Sequence, residues 1–184
     1  MSNLFDSFPE LNNGTISIHM MEESDVDDLI EITHNSNAYR YTPPFLYMKS
    51  RRSLITIIKN LRGRDFEKHK MVIAGIYHNA DKKLVGIIEL FHIKKRKGKA
   101  ELGYKLNEDY WHQGITSMAC SMIIEYLKSI DDIKFLVAHI MPENIHSSRI
   151  ILKNGFILMP YKKEDHNWGN YENVTLDVYE LQIR

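Results

Sequence analysis

The run Trp111-His112-Gln113-Gly114-Ile115-Thr116-Ser117 follows closely on Ala100-Glu101-Leu102-Gly103-Tyr104-Lys105-Leu106, with only Asn107-Glu108-Asp109-Tyr110 between them. The first stretch in chain order reads as a strand, the connector as a turn, and the glycine as the entry into a helix. There the backbone N–H groups and the positive end of a helix dipole converge on one spot, which suits a phosphorylated ligand. The chemistry indicated is the holding of a nucleotide-like cofactor by main-chain donors. Other reactive residue types point elsewhere. Cys120 sits inside the helical pattern beside Ala119, has no histidine partner in sequence, and reads as a packed core thiol rather than a nucleophile. The nine histidines show no paired spacing such as H-E-x-x-H, so no metal site is expected, and His112 reads as bordering the phosphates.

These residues need a scaffold, and the composition says what kind. A chain of 184 residues that is 43% hydrophobic suits one domain spanning 1–184 with an N-terminal arm at 1–13. Twenty-four basic residues balance 24 acidic ones, so global charge favours neither a nucleic-acid binder nor an acidic scaffold. The one dense basic run, Lys94-Lys95-Arg96-Lys97-Gly98-Lys99, has the length of a hairpin turn, and direct nucleic-acid binding is not expected. A single cysteine forms no internal disulfide, and no apolar run approaches the roughly 18 residues of a membrane span. The first basic residue is Arg40, so the layout of a secretory signal is absent, and a cytoplasmic protein is expected. Phe5, Phe8 and Leu11 in the arm suit docking on this domain or on a second subunit, leaving monomer and homodimer both open.

Periodicity supplies the elements. Thr15 to Met20 alternates as a strand, and Ser24 opens a helical pattern with Asp25, Asp27 and Asp28 in its first turn. Arg40-Tyr41-Thr42-Pro43-Pro44-Phe45-Leu46-Tyr47 breaks it, and helical spacing returns from Lys49 to about Lys68. Met71 to Tyr77, Leu84 to Ile93 and Ala100 to Leu106 read as an antiparallel meander. Ile115, Met118, Ala119, Met122, Ile123, Tyr126 and Leu127 mark one apolar helix face. A strand from Phe135 to Ile140, a helix from Asn144 ending near Asn154-Gly155, and strands Phe156 to Met159 and Val174 to Ile183 complete a mixed α/β sheet with helices on its faces.

The segments Glu101-Leu102-Gly103-Tyr104, Tyr110 to Thr116, Asn144-Ile145-His146-Ser147 and Lys153-Asn154-Gly155-Phe156, in that order, resemble the GNAT N-acetyltransferase superfamily, and within it the ribosomal-protein N-terminal acetyltransferases. The resemblance runs from near Thr15 to Ile183. It implies the GNAT fold, a mostly antiparallel central sheet of about seven strands flanked by about four helices. It implies acetyl-CoA as cofactor, with the pyrophosphate on the amides of about Gln113, Gly114, Ile115, Thr116 and Ser117 beside His112, and the pantetheine arm laid along the strand ending at Lys105-Leu106. Thr116 departs from the family's small residue there, and its branched side chain could crowd the loop. By the same resemblance Asn144 and Ser147 contact the pantetheine region, with Ser147 suggested as proton donor to the departing thiolate. Asn144 is equally a favoured N-cap, and Ser147 can simply complete local hydrogen bonds.

The reaction so implied needs alignment of a thioester with a neutral amine and stabilisation of developing oxyanion charge. An α-amine is about one-tenth neutral at pH 7, whereas a lysine amine is neutral in fewer than about one molecule in a thousand. Glu101 stands where this branch often carries a strand glutamate and could take the proton directly or through a water; the plainer reading is a salt-bridged strand glutamate. Strand alternation puts Glu101, Gly103 and Lys105 on one face. The acceptor groove is implied between the loop around Ala38 to Met48 and the segment Tyr161 to Glu172, with Tyr41, Tyr47, Trp168 and Tyr171 as its walls and Glu164, Asp165 and Glu172 as attractors of a cationic amine. Its occupant is a protein N-terminus, such as that of a ribosomal protein, or a small amine such as a polyamine, amino acid or antibiotic. Two readings of another class are a non-catalytic acyl-CoA-binding regulatory protein and an RNA-associated protein that uses the basic turn.

Overall fold

The computed structural model describes residues 4–69, 71–166, 168 and 171–184. Its strands are β1 (Leu11–Asn12), β2 (Ile16–Met20), β3 (Val72–His78), β4 (Lys83–Lys94), β5 (Lys99–Leu106), β6 (Phe135–Ile140), β7 (Ile157–Asp165) and β8 (Val174–Gln182). Its helices are α1 (Val26–Thr33), α2 (Arg51–Arg62), the single turn α3 (Arg64–Glu67), α4 (Ile115–Leu127) and α5 (Ile145–Lys153). The strands form one sheet in the order β1-β2-β3-β4-β5-β6-β8-β7. Every neighbouring pair is antiparallel except β5 with β6.

The parallel junction decides the shape of the molecule. β5 and β6 pair only through Lys99↔Phe135, Ala100↔Leu136 and Glu101↔Val137. Beyond Glu101 the two strands part, although β5 stays paired with β4 as far as Leu106. One backbone edge of Leu102 to Leu106 is thereby left without a strand partner, and backbone donors and acceptors so placed call for a ligand or water.

Helices cover both faces. On one, Val26, Leu29 and Ile32 of α1 and Leu54, Ile58 and Leu61 of α2 bury against Ile73, Leu84 and Ile87. On the other, Ile115, Ala119, Cys120, Ile123 and Leu127 of α4, with Ile151 of α5, bury against Ile88, Leu90, Leu102, Leu136 and Ile140. Each fully buried Leu or Ile contributes about 1.5–3 kcal/mol. The i, i+3, i+4 spacing seen in the α4 sequence is the stripe that makes this contact.

Several expectations move. The sheet has eight strands rather than about seven, the extra being the two-residue β1, held by a turn in which Gly14 (φ +90°) donates its N–H to Asn12 Oδ1. Ser24 does not open α1. Glu22 and Asp25 form a reciprocal capping box around a 3-10 turn at Glu23–Asp25, which then runs into α1. The strand expected at Phe156 to Met159 runs on as β7 to Asp165, so Tyr161 to Asp165 is strand and not connecting loop. The arm docks on its own domain: Leu4 and Phe5 are buried, Phe5 stacks on His69 at 4.7 Å, and Phe8 meets Tyr126 edge-on. In the basic turn, Lys95 pairs with Asp132 and Lys99 with Glu180. No helix among the described residues is long and apolar enough to cross a membrane.

Candidate functional site

Where β5 and β6 part lies a cavity lined by residues from both faces of the sheet. Its walls include Leu102, Tyr104, Ala138, Ile140, Asn144, Ser147 and Ile151, which belong to the α4–α5 face or its rim. They also include Glu89, Glu101, Gly103, Lys105, His139, Tyr41, Thr42 and Trp168 from the opposite face.

Past the end of β5, the chain enters α4 through an uncapped helix N-terminus. Gly114 precedes α4 with φ +76° and ψ 2°, and no side chain caps the helix. The left-handed geometry favours glycine, and open space surrounds the position. The first N–H groups of this 13-residue helix therefore point outward without side-chain acceptors. Thr116 is buried, so its branched side chain turns into the core instead of crowding the loop, which removes the main support for a cofactor site closed by that residue. Ser117 Oγ accepts from Asn154 Nδ2 of α5 at 3.2 Å. His112 (φ +61°) faces His146 of α5 with ring centroids 5.8 Å apart, so two imidazoles flank the helix end. His146 was not anticipated; its place in the first turn of α5 was the available signal. Trp111 anchors the loop, donating from Nε1 to the Leu106 carbonyl at 3.0 Å. The main-chain donors and unpaired β5 edge fit a CoA-like group: the edge can pair with its amides, and the helix end with its phosphates.

Asn144 caps α5, its Oδ1 accepting from the Ser147 N–H at 3.3 Å. Ser147 faces the cavity, its carbonyl accepts from Tyr104 Oη, and burial raises the Tyr104 phenol well above its ordinary range. The cap and the cavity position hold together, as both sequence readings allowed.

On the other face the side chains are titratable. Glu101 is 15% exposed. His139 Nδ1 lies 3.0 Å from its Oε2 and His92 Nδ1 lies 3.1 Å from its Oε1. Burial alone would raise this carboxyl, but the hydrogen bonds and charge of His139, then of His92, outweigh it and bring it down to about 2. Lys105 joins this face through its side chain, in a buried ion pair with Glu89 at 2.8 Å. Gly103 makes room for that pair, since a Cβ there would lie 3.0 Å from Glu89 Oε2 and from Phe91. Lys105 Nζ also lies 5.4 Å from the centre of the Tyr39 ring. His92 and His139 sit on β4 and β6, and only the sheet register brings them both to Glu101. Among the described residues no group of three or more His, Cys, Asp or Glu could hold a metal ion. Cys120 is fully buried, and burial pushes its thiol up to about 12, so it is no nucleophile at neutral pH.

Of the four aromatic residues expected to wall an acceptor groove, two line the cavity. Trp168 Nε1 donates to the Tyr41 carbonyl at 3.0 Å, and both line the cavity. Tyr47 packs on Tyr39 at 5.0 Å outside the lining, and Tyr171, bridged to Trp168, is 37% exposed and also outside it. Glu164 accepts from Thr175 and Asp165 pairs with Lys163, while Asn167, Gly169 and Asn170 of the same segment lie outside the described residues.

A mixed sheet split at one parallel junction, with an uncapped helix N-terminus following the strand at the split, is an architecture of the GNAT acyltransferase type. Residues 16–157 match the acetyltransferase (GNAT) domain family, and the chain belongs to that family. Among curated relatives it is 24% identical over 149 residues to the uncharacterized N-acetyltransferase YoaA of Bacillus subtilis, covering 81% of this chain and 83% of that one. It is 32% identical over 94 residues to the ribosomal-protein-serine acetyltransferase of Escherichia coli, about half of each chain. Among solved structures, RimL, a ribosomal L7/L12 alpha-N-protein acetyltransferase in complex with coenzyme A, superposes with a TM-score of 0.83 at 17% identity over 95% of this chain and 98% of that one. The microcin C7 self-immunity acetyltransferase MccE, in complex with acetyl-CoA and AMP, does so with 0.81 at 19% identity over 92% and 93%.

Proposed function

We propose that the protein is an acetyl-CoA-dependent N-acetyltransferase that acts on a primary amine by direct attack in a ternary complex. The observation that carries this is the cavity lined from both faces of the sheet, with cofactor-type main-chain groups on one face and titratable side chains on the other. Acetyl-CoA, when bound, supplies an activated acetyl carbon. The amides of Gln113 to Ser117 and the flanking His112 and His146 hold its phosphates, and the free edge ending at Lys105-Leu106 aligns its arm. Asn144 and Ser147 border the reacting end, and Ser147 Oγ can return a proton to the thiolate. The acceptor enters past Tyr41 and Trp168, and its deprotonation depends on the Glu101 cluster.

The acceptor reading we favour is a protein N-terminus, by analogy with the ribosomal L7/L12 alpha-N-protein acetyltransferase RimL; the Escherichia coli ribosomal-protein-serine acetyltransferase, similar over half of this chain, points to the same substrate class. An α-amine asks less of the base than a lysine amine does. The test is calorimetric titration with acetyl-CoA, followed by release of free CoA thiol in the presence of an amino-terminal-serine peptide, spermidine, free lysine or an aminoglycoside. Transfer to the peptide supports the N-terminal reading, and transfer only to one of the others replaces it with a small-molecule acetyltransferase. Binding without transfer to any of the four returns the protein to a non-catalytic acyl-CoA-binding role.

A further inference from the structure

Glu101 was the sequence's candidate base, yet both of its oxygens are occupied. The carboxylate can only accept, so the imidazole nitrogens at Oε1 and Oε2 are N–H donors: Nδ1 of His92 and Nδ1 of His139. A carboxylate held in this way, at about 2, has little drive to take a proton from an amine.

The same contacts prepare a different group. With Nδ1–H committed to Glu101, the neutral His139 ring carries its lone pair on Nε2, because the hydrogen bond at one ring nitrogen sets the tautomer at the other. Glu101 pairs with Val137 across the parallel junction, so His139, two residues on, shares the Glu101 face just where the strands part. Its side chain is 11% exposed, and it lines the cavity. His92 is 61% exposed and lies outside that lining. The remaining candidates on this face are committed elsewhere, Glu89 to Lys105 and the Tyr39 phenol to a neutral form by burial, with the Glu89 charge adding to it.

We propose that Nε2 of His139 is the base that removes the acceptor's proton, and that Glu101 is the positioning residue that fixes its tautomer and orientation. The inference rests on the acetyltransferase reading above. As the amine nitrogen forms its bond to the acetyl carbon, the carbon–sulfur bond breaks. One amine proton passes to His139 Nε2 and the thiolate takes a proton from solvent, directly or through Ser147 Oγ, which solvent reprotonates; His139 then releases its proton to solvent, so that amide and free thiol are the products with no net proton change. The charged groups around His139 are Glu101 of β5, His92 of β4 and Glu180 of β8, which interacts electrostatically with His139 and is paired with Lys99 of β5; the Glu89–Lys105 pair lines the same cavity.

Two measurements test this. Long-range nitrogen–proton NMR of the wild-type protein should show His139 as the Nδ1–H tautomer when neutral. Steady-state kinetics with acetyl-CoA and whichever of the four amines above turns over fastest should show His139→Ala lowering kcat/KM by about 10²–10⁴-fold, with calorimetric affinity for acetyl-CoA unchanged. Glu101→Gln should change the acid limb of the pH profile of kcat/KM, because the hydrogen bond and charge that Glu101 shares with His139 are lost; a purely structural role would leave that limb in place. An Nε2–H tautomer, or an H139A profile that superimposes on wild type, overturns the proposal and leaves the acetyltransferase reading intact. A wild-type protein that binds no acetyl-CoA, or turns over none of the amines, overturns both.

Discussion

Lys105 Nζ stands 2.8 Å from Glu89 Oε2 with only 5% and 11% of the two side chains exposed, so a full ion pair lies inside the protein beneath Gly103. Removing one partner strands the other charge. Lys105→Met is expected to lower unfolding free energy by about 3–5 kcal/mol, and Lys105→Met with Glu89→Leu to recover most of it. Urea unfolding of the two variants measures this, and a double variant as weak as the single one would show that the pairing is not what stabilises the region.

Gly114→Glu places a carboxylate and a Cβ at a left-handed N-cap. The backbone conformation costs about 1–2 kcal/mol. The carboxylate opposes the phosphates electrostatically, so acetyl-CoA affinity should fall by about tenfold or more, equivalent to at least about 1.4 kcal/mol. Calorimetry reads the affinity and thermal melting the stability; unchanged affinity would move the phosphate site away from α4.

Trp168 ties its loop to the Tyr41 loop through one hydrogen bond. Trp168→Phe keeps a ring but loses the donor, at a net cost of about 1 kcal/mol. If that contact shapes the acceptor entrance, KM for the amine rises by about fivefold while KM for acetyl-CoA and kcat stay close to wild type. A rise confined to acetyl-CoA would reverse the assignment of the two faces.

The Glu101 carboxyl is lowered from 4.5 to about 2 in the folded protein. A carboxyl depressed on folding adds stability that is fully present above its unfolded value and is lost as pH falls through the folded value. The stability difference between wild type and Glu101→Gln should therefore shrink between about pH 4.5 and pH 2. Denaturant titrations across that window check it, and a constant difference would mean that the histidines do not hold the carboxylate in solution.

How legible all this was depends on how local each signal is. The apolar stripe of α4, the Asn144 cap and the three-strand meander are patterns within one element, and their positions in the sequence match the structure. β7 was cut short at Met159 because Pro160 follows an apolar run that is exposed at the sheet edge, where alternation carries no burial signal. Strand alternation places Lys105 on the Glu101 face but names no partner for it, since Glu89 lies sixteen residues away. The His92–Glu101–His139 clamp spans three strands, and its register depends on a three-pair parallel junction that periodicity does not encode.

That the cavity is lined from both faces of the sheet has a consequence for traffic. A site with one mouth makes its second substrate wait behind the first and imposes a sequence on product departure. On the acetyltransferase reading proposed above, a cavity lined from both faces lets donor and acceptor approach from opposite sides, so that neither has to wait for the other.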